Sequence, residues 1–234
     1  MRVLVTRPLP DGERTAATLR GRGYDVLVAP LMQMKPIAAD LTGDWSAVII
    51  SSANAVRALD AQQIASLNKL PLFSVGQRSA DVAREAGFTK VLSANGDAGD
   101  LIRLVATQGY KSATYLYLAG EDRAADVQGE LAKRGIVART MTVYKNVTLD
   151  YPPELVDALR NRKIDVVLHF SRRSAENYVN GAKRTGLEQT AWAPKHFCLA
   201  AQVAEPLRAA GVGQISVAHE PNEAALLAIL PPLP

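Results

Sequence analysis

Several features that mark particular classes of protein are scarce in this sequence of 234 residues. It has one cysteine, Cys198, so an internal disulfide is excluded and a reducing cytoplasm suits the chain. No apolar run approaches the roughly 20 residues that a membrane-spanning helix needs. Residues 1–7 run straight into a predicted strand, without a signal-peptide pattern. We therefore expect a cytoplasmic protein with no membrane partner.

Motifs for common cofactors and metals are also missing. There is no GxGxxG sequence, P-loop or nucleophile elbow. His169, His196 and His219 are scattered without the spacing of metal ligands, so we expect no metal and interpret His169 as structural. Aromatic residues make up 6% of the chain and the basic residues are not clustered with them, which argues against nucleic-acid binding. The net charge of +4 is mild and would suit an acidic small molecule.

The sequence contains, instead, many short apolar segments that alternate with helical patterns. We find ten predicted strands, most of them followed by a helix, and several helices end at a glycine. This alternation predicts an α/β protein with parallel sheets and helices on both faces. Ten strands in one such sheet would be unusual, so we predict two five-stranded sheets. The glycines at helix ends are Gly23, Gly87, Gly135 and Gly211.

One succession of strand, serine loop and helix occurs twice in the chain. Apolar residues 48–50 lead into Ser-Ser-Ala-Asn at 51–54, and apolar residues 166–170 lead into Ser-Arg-Arg-Ser at 171–174. Other landmarks repeat between the two halves with the same internal offsets. A repeat of this length predicts two similar α/β lobes with a cleft between them, and a function should be sought in that cleft.

The connection after Ala29 indicates how the lobes are assembled. Parallel neighbours need a crossover, usually a helix, but residues 30–37 look extended, as do residues 142–147 at the equivalent place. We predict a discontinuous lobe of residues 1–33 and 148–234, and an inserted lobe of residues 38–143. Residues 34–37 and 144–147 are then the two connectors, paired as a short ladder. The sequence leaves open the alternative that the lobes simply follow the repeat.

The serine loops predict a carboxylate site. A strand that ends in such a loop and opens a helix presents free backbone N–H groups at a positive helix end. Ser52 and Asn54 would add donors, and ligands of open α/β sheets lie beyond the carboxyl ends of strands. Ser171 holds the matching position, and the guanidinium of Arg172 could bind a carboxylate through two parallel hydrogen bonds. The open alternatives are helix caps for the serines and a solvated surface position for the arginine.

Two further pairs of residues occupy equivalent turns. Gly76 and Ser79 belong to a second turn from strand to helix, where the alternative is again an N-cap. Arg7 and Arg123 each follow an equivalent strand and could bind acidic arms of a ligand. The alternative for both is a surface ion pair, which two acidic neighbours favour more for Arg123.

Four motifs together resemble those of the uroporphyrinogen-III synthase family. They are Val-Thr-Arg-Pro at 5–8, Ser-Ser-Ala-Asn-Ala-Val at 51–56, the turn from Val75-Gly76 to Ser79-Ala80, and Val143-Tyr144. Each is weak alone, but their order and spacing are fairly specific, and the likeness covers nearly the whole chain. It departs from the family pattern at Ala200 and Val203, which replace a glycine and a threonine.

The resemblance implies a fold, a reaction and a set of partners. The fold is two flavodoxin-like lobes, each a five-stranded parallel sheet with helices on both faces, joined by a two-stranded ladder. The active site lies in the cleft, with no metal and no cofactor. The substrate is hydroxymethylbilane, a linear tetrapyrrole with eight carboxylates, which is closed with loss of water and inversion of its last ring. We expect a cytoplasmic monomer whose contact with the preceding enzyme of haem biosynthesis is transient at most.

Tyr144 is our candidate for chemistry. Ring closure begins with loss of a hydroxyl, and a phenol, which stays protonated at neutral pH, can donate a hydrogen bond to the leaving oxygen. The alternative is an aromatic ring that packs against the ladder. The rival function is a non-catalytic two-lobed module that binds a small polyanion, which Ala200 and Val203 favour. The residues to which we assign substrate binding are Thr6, Arg7, Ser51, Ser52, Ala53, Asn54, Gly76, Ser79, Arg123, Ser171, Arg172 and Lys195.

Overall fold

The computed structural model describes residues 1–110, 113–123 and 125–233. Its elements, in chain order, are β1 (Arg2–Val5), α1 (Asp11–Gly21), β2 (Asp25–Val28), β3 (Met32–Pro36), β4 (Ala47–Ile50), α2 (Ala53–Arg57), α3 (Ala61–Leu67), β5 (Leu72–Ser74), α4 (Gln77–Glu85), β6 (Val91–Ser93), α5 (Ala98–Gln108), β7 (Thr114–Gly120), α6 (Val127–Ala132), β8 (Val137–Thr148), α7 (Pro153–Arg160), β9 (Val166–His169), α8 (Arg172–Thr185), α9 (Glu188–Trp192), β10 (Lys195–Cys198), α10 (Ala201–Ala209), β11 (Ile215–Val217) and α11 (Glu223–Ala228). None of the described helices is both long and apolar enough to cross a membrane.

The chain forms two compact units. Unit 1 consists of Met1–Gln33 together with Val147–Pro234, and unit 2 consists of Met34–Asn146. The chain therefore leaves unit 1 within β3 and returns to it within β8. Unit 1 holds a parallel five-stranded sheet and unit 2 a mixed six-stranded sheet, each with helices on both faces, so the predicted fold class is confirmed.

Unit 1 is built on five parallel strands in the order β2-β1-β9-β10-β11. Successive side chains of a strand point to opposite faces. Val3 and Val5 therefore pack against α1 and α11 on one face, while Leu4 and Val167 pack against α7, α8 and α10 on the other. Because both faces are covered, the strands are apolar throughout, as buried parallel strands require.

Unit 2 has the same strand arrangement, with one addition. Strands β8-β7-β4-β5-β6 run parallel, and β3 lies at the edge beside β8. Val48 and Ile50 face α2 and α4, whereas Ile49 and Tyr115 face α5 and α6. This sheet therefore has six strands rather than five, because the ladder of β3 and β8 is part of it.

The twelve-residue strand β8 also differs from the sequence-based expectation. The sequence predicted a strand near residues 138–143 and a separate connector at 144–147, but one continuous strand, Val137–Thr148, includes both. The physical reason is that β8 pairs with β7 from Val137 to Tyr144 and also pairs with β3 on its other side. Tyr144 consequently lies within a strand of the unit 2 sheet.

Candidate functional site

The carboxyl ends of β4, β7 and β8 in unit 2 border a cavity of about 290 Å³, which we call the unit 2 cavity. Strand β5, which follows β4 in the chain, lies on one side of β4, and β7 lies on the other side. The order of strands therefore reverses at this point, and open α/β sheets bind ligands where it does so. The polar residues lining the cavity are Ser51, Ser52, Tyr117, Asp122, Arg123 and Tyr144.

A β-bulge brings Tyr144 to the unit 2 cavity. Ala119 of β7 pairs with Thr142 of β8, but the next residue, Gly120, pairs with Tyr144, so Val143 is the extra residue. Bulges of this kind re-aim side chains. Val143 and Tyr144, although adjacent in the strand, accordingly belong to the same buried cluster.

Gly120 gives the Tyr144 ring the space it occupies. A Cβ at Gly120 would lie 2.7 Å from Cζ and 2.9 Å from Oη of Tyr144. The backbone is fixed as well, because the Glu121 N–H donates to the Tyr144 carbonyl oxygen over 2.9 Å. Tyr144 is only 7% exposed, so packing against its neighbours holds the ring at the cavity wall.

Tyr117 is a second tyrosine in this cavity, and we did not identify it from the sequence. Its Oη lies 2.8 Å from Ser51 Oγ. Burial raises the pKa of Tyr117, while its hydrogen bond with Ser51 lowers the pKa. The Tyr144 phenol adds to the rise, and the charge of Arg123 opposes it. The signal available in the sequence was a polar ring within an otherwise apolar strand, Thr114–Gly120.

The remaining residues of the first serine loop lie around the start of α2. Ser52 is the N-cap, and its Oγ accepts from the Asn54 backbone N–H over 3.2 Å. The Asn54 side-chain oxygen accepts from Arg57 over 3.2 Å. Ala53 is buried as the first residue of the helix. Capping therefore accounts for one bond of Ser52, which lines the cavity as well.

The second predicted turn of unit 2 is next to the cavity. Gly76 is the N-cap of α4 and makes no side-chain bond, and a Cβ there would meet open space. Ser79 is buried, and its N–H donates to the Gly76 carbonyl oxygen over 3.1 Å. Val75, just before the turn, is the residue that lines the cavity. Arg123 also lines it and is exposed to solvent.

In unit 1, Thr6 and Arg7, which follow β1, contact other residues of the same unit. Thr6 is fully buried, and its hydroxyl donates to the Leu168 carbonyl oxygen over 3.2 Å. The Arg7 guanidinium lies over the Phe170 ring, 4.6 Å from its centroid, and makes a 2.9 Å ion pair with Glu223. Arg7 is therefore in an ion pair, as in the alternative to substrate binding, but the pair is partly buried rather than on the surface.

The second serine loop caps α8. Ser171 Oγ accepts from the Ser174 N–H over 3.1 Å. Arg172 is exposed and paired with two carboxylates, at 3.0 Å from Glu176 and 2.7 Å from Glu205. The Arg172 guanidinium is thus already paired with side chains of the same unit.

Lys195 is separated from the other predicted residues of unit 1. It is the first residue of β10 and pairs with Val166, the first residue of β9. It therefore lies at the amino edge of the sheet, whereas Ser171 and Arg7 follow the carboxyl ends of β9 and β1. The structure does not bring Lys195 to the residues with which the sequence grouped it.

Cys198, His169 and His196 are buried in the core of unit 1. Burial raises the pKa of Cys198 to about 12, which suits a core thiol. His169 Nε2 lies 3.0 Å from His196 Nδ1, and both rings are fully buried. Across residues 1–110, 113–123 and 125–233, no three His, Cys, Asp or Glu side chains are grouped as metal ligands.

Comparisons with known proteins agree on one family. A family model described as uroporphyrinogen-III synthase HemD matches residues 13–228. The uroporphyrinogen-III synthase of Chlorobaculum parvum is 23% identical over 190 residues, which are 75% of this chain and 77% of that protein.

Two solved structures share the fold. The uroporphyrinogen-III synthetase of Helicobacter pylori has a TM-score of 0.68 at 17% identity, with 97% of this chain and 96% of that chain covered. A mutant uroporphyrinogen III synthase of Thermus thermophilus has a TM-score of 0.53 at 18% identity, with the same coverage. At such identities the two solved structures show a shared fold alone. The evidence for a family relationship is the family model, which matches most of the chain.

Proposed function

The chain belongs to the uroporphyrinogen-III synthase family, and from that premise we propose that it closes linear hydroxymethylbilane to uroporphyrinogen III. The family consists of cyclising enzymes of the lyase type. The reaction loses one water and inverts the last pyrrole ring. In this chain we assign the acid-assisted step to the unit 2 cavity, which can hold one pyrrole ring with its arms rather than the whole substrate.

The observation that carries this proposal is the placement of Tyr144. A bulge aims it and Gly120 leaves room for its ring, at a cavity that also presents Ser51, Ser52 and Arg123. The carbon–oxygen bond of the substrate's hydroxymethyl group breaks as the phenol donates its hydrogen to the departing oxygen, giving water. The pyrrole nitrogen of the substrate stabilises the cation, and the proton released on ring closure restores the phenol.

Most of the rate enhancement should come from orientation. Inversion of one ring requires that a particular carbon attack, and holding the reacting atoms together supplies a large part of a barrier. The hydroxyls of Ser51 and Ser52 and the guanidinium of Arg123 are suited to binding the carboxylate arms. We therefore expect no single side chain to be indispensable.

The decisive experiment is to supply hydroxymethylbilane, generated enzymatically in the same vessel, and to separate the product isomers. The spontaneous reaction gives the symmetric type I ring, so formation of the type III ring measures the enzyme. If the protein yields only type I, the proposed function is wrong.

The role of Tyr144 needs its own variant. We expect Tyr144→Phe to lower kcat by about 100-fold, the low end of the range for a general acid, because the pyrrole nitrogen still assists departure. The control is Tyr115→Phe, which changes a buried tyrosine near the start of β7 and should keep wild-type turnover. Unchanged turnover in Tyr144→Phe would remove the phenol from the reaction.

Several coarser features belong to the same proposal. We propose that units 1 and 2 are the two domains of the enzyme, that it needs no cofactor, and that it works as a cytoplasmic monomer. Contact with the preceding enzyme of the pathway would be transient. Activity after dialysis against a chelator tests whether the enzyme works without a metal cofactor, and sedimentation velocity tests whether it is a monomer.

A second candidate function is a non-catalytic module that binds a small polyanion. It is favoured by Ala200, the N-cap residue of α10, which offers no side-chain cap, and by Val203, which is buried and apolar. In unit 1, moreover, Arg7 and Arg172 are held by internal carboxylates. Binding of uroporphyrin III, the oxidised product, without any formation of the type III ring would favour this candidate.

A further inference from the structure

Tyr117 is a core residue whose hydroxyl reaches the wall of the unit 2 cavity. Its ring belongs to the cluster between the sheet and helices α5 and α6, and only 2% of the residue is exposed. Yet its Oη is 2.8 Å from the Oγ of Ser51, which is half-buried and lines the cavity. A phenylalanine would fill the same core, so packing does not explain the hydroxyl.

We propose that Tyr117 is a positioning residue that acts through Ser51. Its hydroxyl donates to Ser51 Oγ, which leaves the Ser51 hydrogen to point into the cavity and bind one carboxylate arm of the substrate. The identity of that substrate rests on the function proposed above. The positioning itself rests on the geometry of the two hydroxyls.

The direction of the hydrogen bond follows from the chemistry of its two ends. Either hydroxyl can donate in principle, but a phenol is much the stronger acid and hence the better donor. Burial raises the pKa of Tyr117, so the phenol keeps its proton at neutral pH. A serine that accepts from such a donor is polarised and becomes a better donor in turn. A carboxylate in the cavity is the acceptor that gains most.

Tyr115 provides a matched comparison on the same strand. It lies two residues before Tyr117, so both rings point to the same face and share one cluster. The hydroxyl of Tyr115, however, donates to the backbone carbonyl oxygen of Tyr110 over 3.3 Å, away from the cavity. The same hydroxyl accepts from the Tyr110 backbone N–H, so its removal costs two partly buried hydrogen bonds without touching Ser51.

The test is a double-mutant cycle of Tyr117→Phe and Ser51→Ala. We expect each single variant to raise KM about tenfold with kcat within about twofold, because the lost contact binds substrate and transition state alike. The double variant should be no worse than Ser51→Ala alone, since Tyr117 acts only through that serine. Tyr115→Phe should leave KM unchanged. Ser51→Thr, which retains the hydroxyl, should stay within about twofold.

Several results would overturn the proposal. They are additive losses in the double variant, a fall in kcat with an unchanged KM, or an unchanged KM in Ser51→Ala. An unchanged KM in Ser51→Ala refutes the proposal even if Tyr117→Phe fails to fold. Trp45 fluorescence in a Trp192→Phe background would reveal such a failure. If the wild-type protein forms no type III ring, the proposed function has failed. The same cycle is then measured on the Kd for uroporphyrin III, where additive losses again refute the positioning role.

Discussion

Unit 1 should lose stability in mild acid, because two buried histidines must take up protons when it unfolds. His196 Nε2 faces the Ala191 carbonyl oxygen at 3.1 Å, so this nitrogen carries a hydrogen. Its Nδ1 therefore has a free lone pair, which accepts from His169 Nε2. Protonation of His196 Nδ1 would set two N–H groups against each other in a buried site. The Tyr178 ring packs edge-on against both imidazoles.

The magnitude follows from the pKa values. Burial lowers the pKa of His196 to about 4 and lowers that of His169 as well, whereas an unfolded histidine titrates near 6.5. Between these values the unfolded chain binds more protons, so the stability is fully present above about pH 6.5 and is lost as the pH falls towards 4. By linkage, His196 alone should cost about 2 kcal/mol between pH 8 and pH 5.

The two tryptophans allow each unit to be followed separately. Trp192 lies in unit 1, with its ring centroid 6.4 Å from that of Tyr178, and Trp45 lies in unit 2. Urea unfolding of a Trp45→Phe variant therefore reports on unit 1, and that of Trp192→Phe reports on unit 2. A loss of 2 kcal/mol lowers the unfolding midpoint by about 1 M urea.

Unit 2 is the internal control, because all three histidines of the sequence belong to unit 1. Its midpoint should stay constant from pH 8 to pH 5. In addition, His196→Gln should flatten the pH dependence of unit 1, although it lowers the stability at pH 8. A midpoint of unit 1 that does not change with pH, or an equal slope in the variant, would refute this account of the buried pair.

Two glycines give further tests of close packing. Gly120→Ala should displace the Tyr144 ring, cost about 1–3 kcal/mol through overpacking, and lower formation of the type III ring; isomer analysis checks this, and full activity would contradict it. Gly181→Ala in α8 should destabilise unit 1 by a similar amount despite better helix propensity, because its Cβ would clash with Tyr151 Cε1. Its control, Gly21→Ala, meets no atom within 4 Å and should be neutral or stabilising in the same urea assay.

Local patterns in the sequence were sufficient to predict the repeated elements. The four glycines expected to end helices, Gly23, Gly87, Gly135 and Gly211, all have positive φ, and that conformation is what such a position requires. The two serine loops cap helices after strands of separate sheets. These features depend on residues close together in the chain, so composition and spacing are enough to reveal them.

Features that join distant parts of the chain could not be predicted in this way. The ion pair of Arg7 with Glu223 links residues 216 positions apart, and the bulge at Tyr144 depends on how β8 registers with β7. Tyr117 reached the site only because β4 and β7 became neighbours. Each of these follows from the order of strands in a sheet, which alternation of elements leaves undetermined.

The two units hold their equivalent arginines differently. Each unit combines a serine loop from one half of the chain with an arginine turn from the other: Ser51 with Arg123 in unit 2, and Ser171 with Arg7 in unit 1. In unit 2 the arginine is exposed beside a cavity, whereas in unit 1 Glu223 and an aromatic ring hold it. An arginine whose charge is already balanced within the protein must break that pair before it binds a carboxylate, so substitutions in unit 2 should affect substrate binding more than equivalent ones in unit 1.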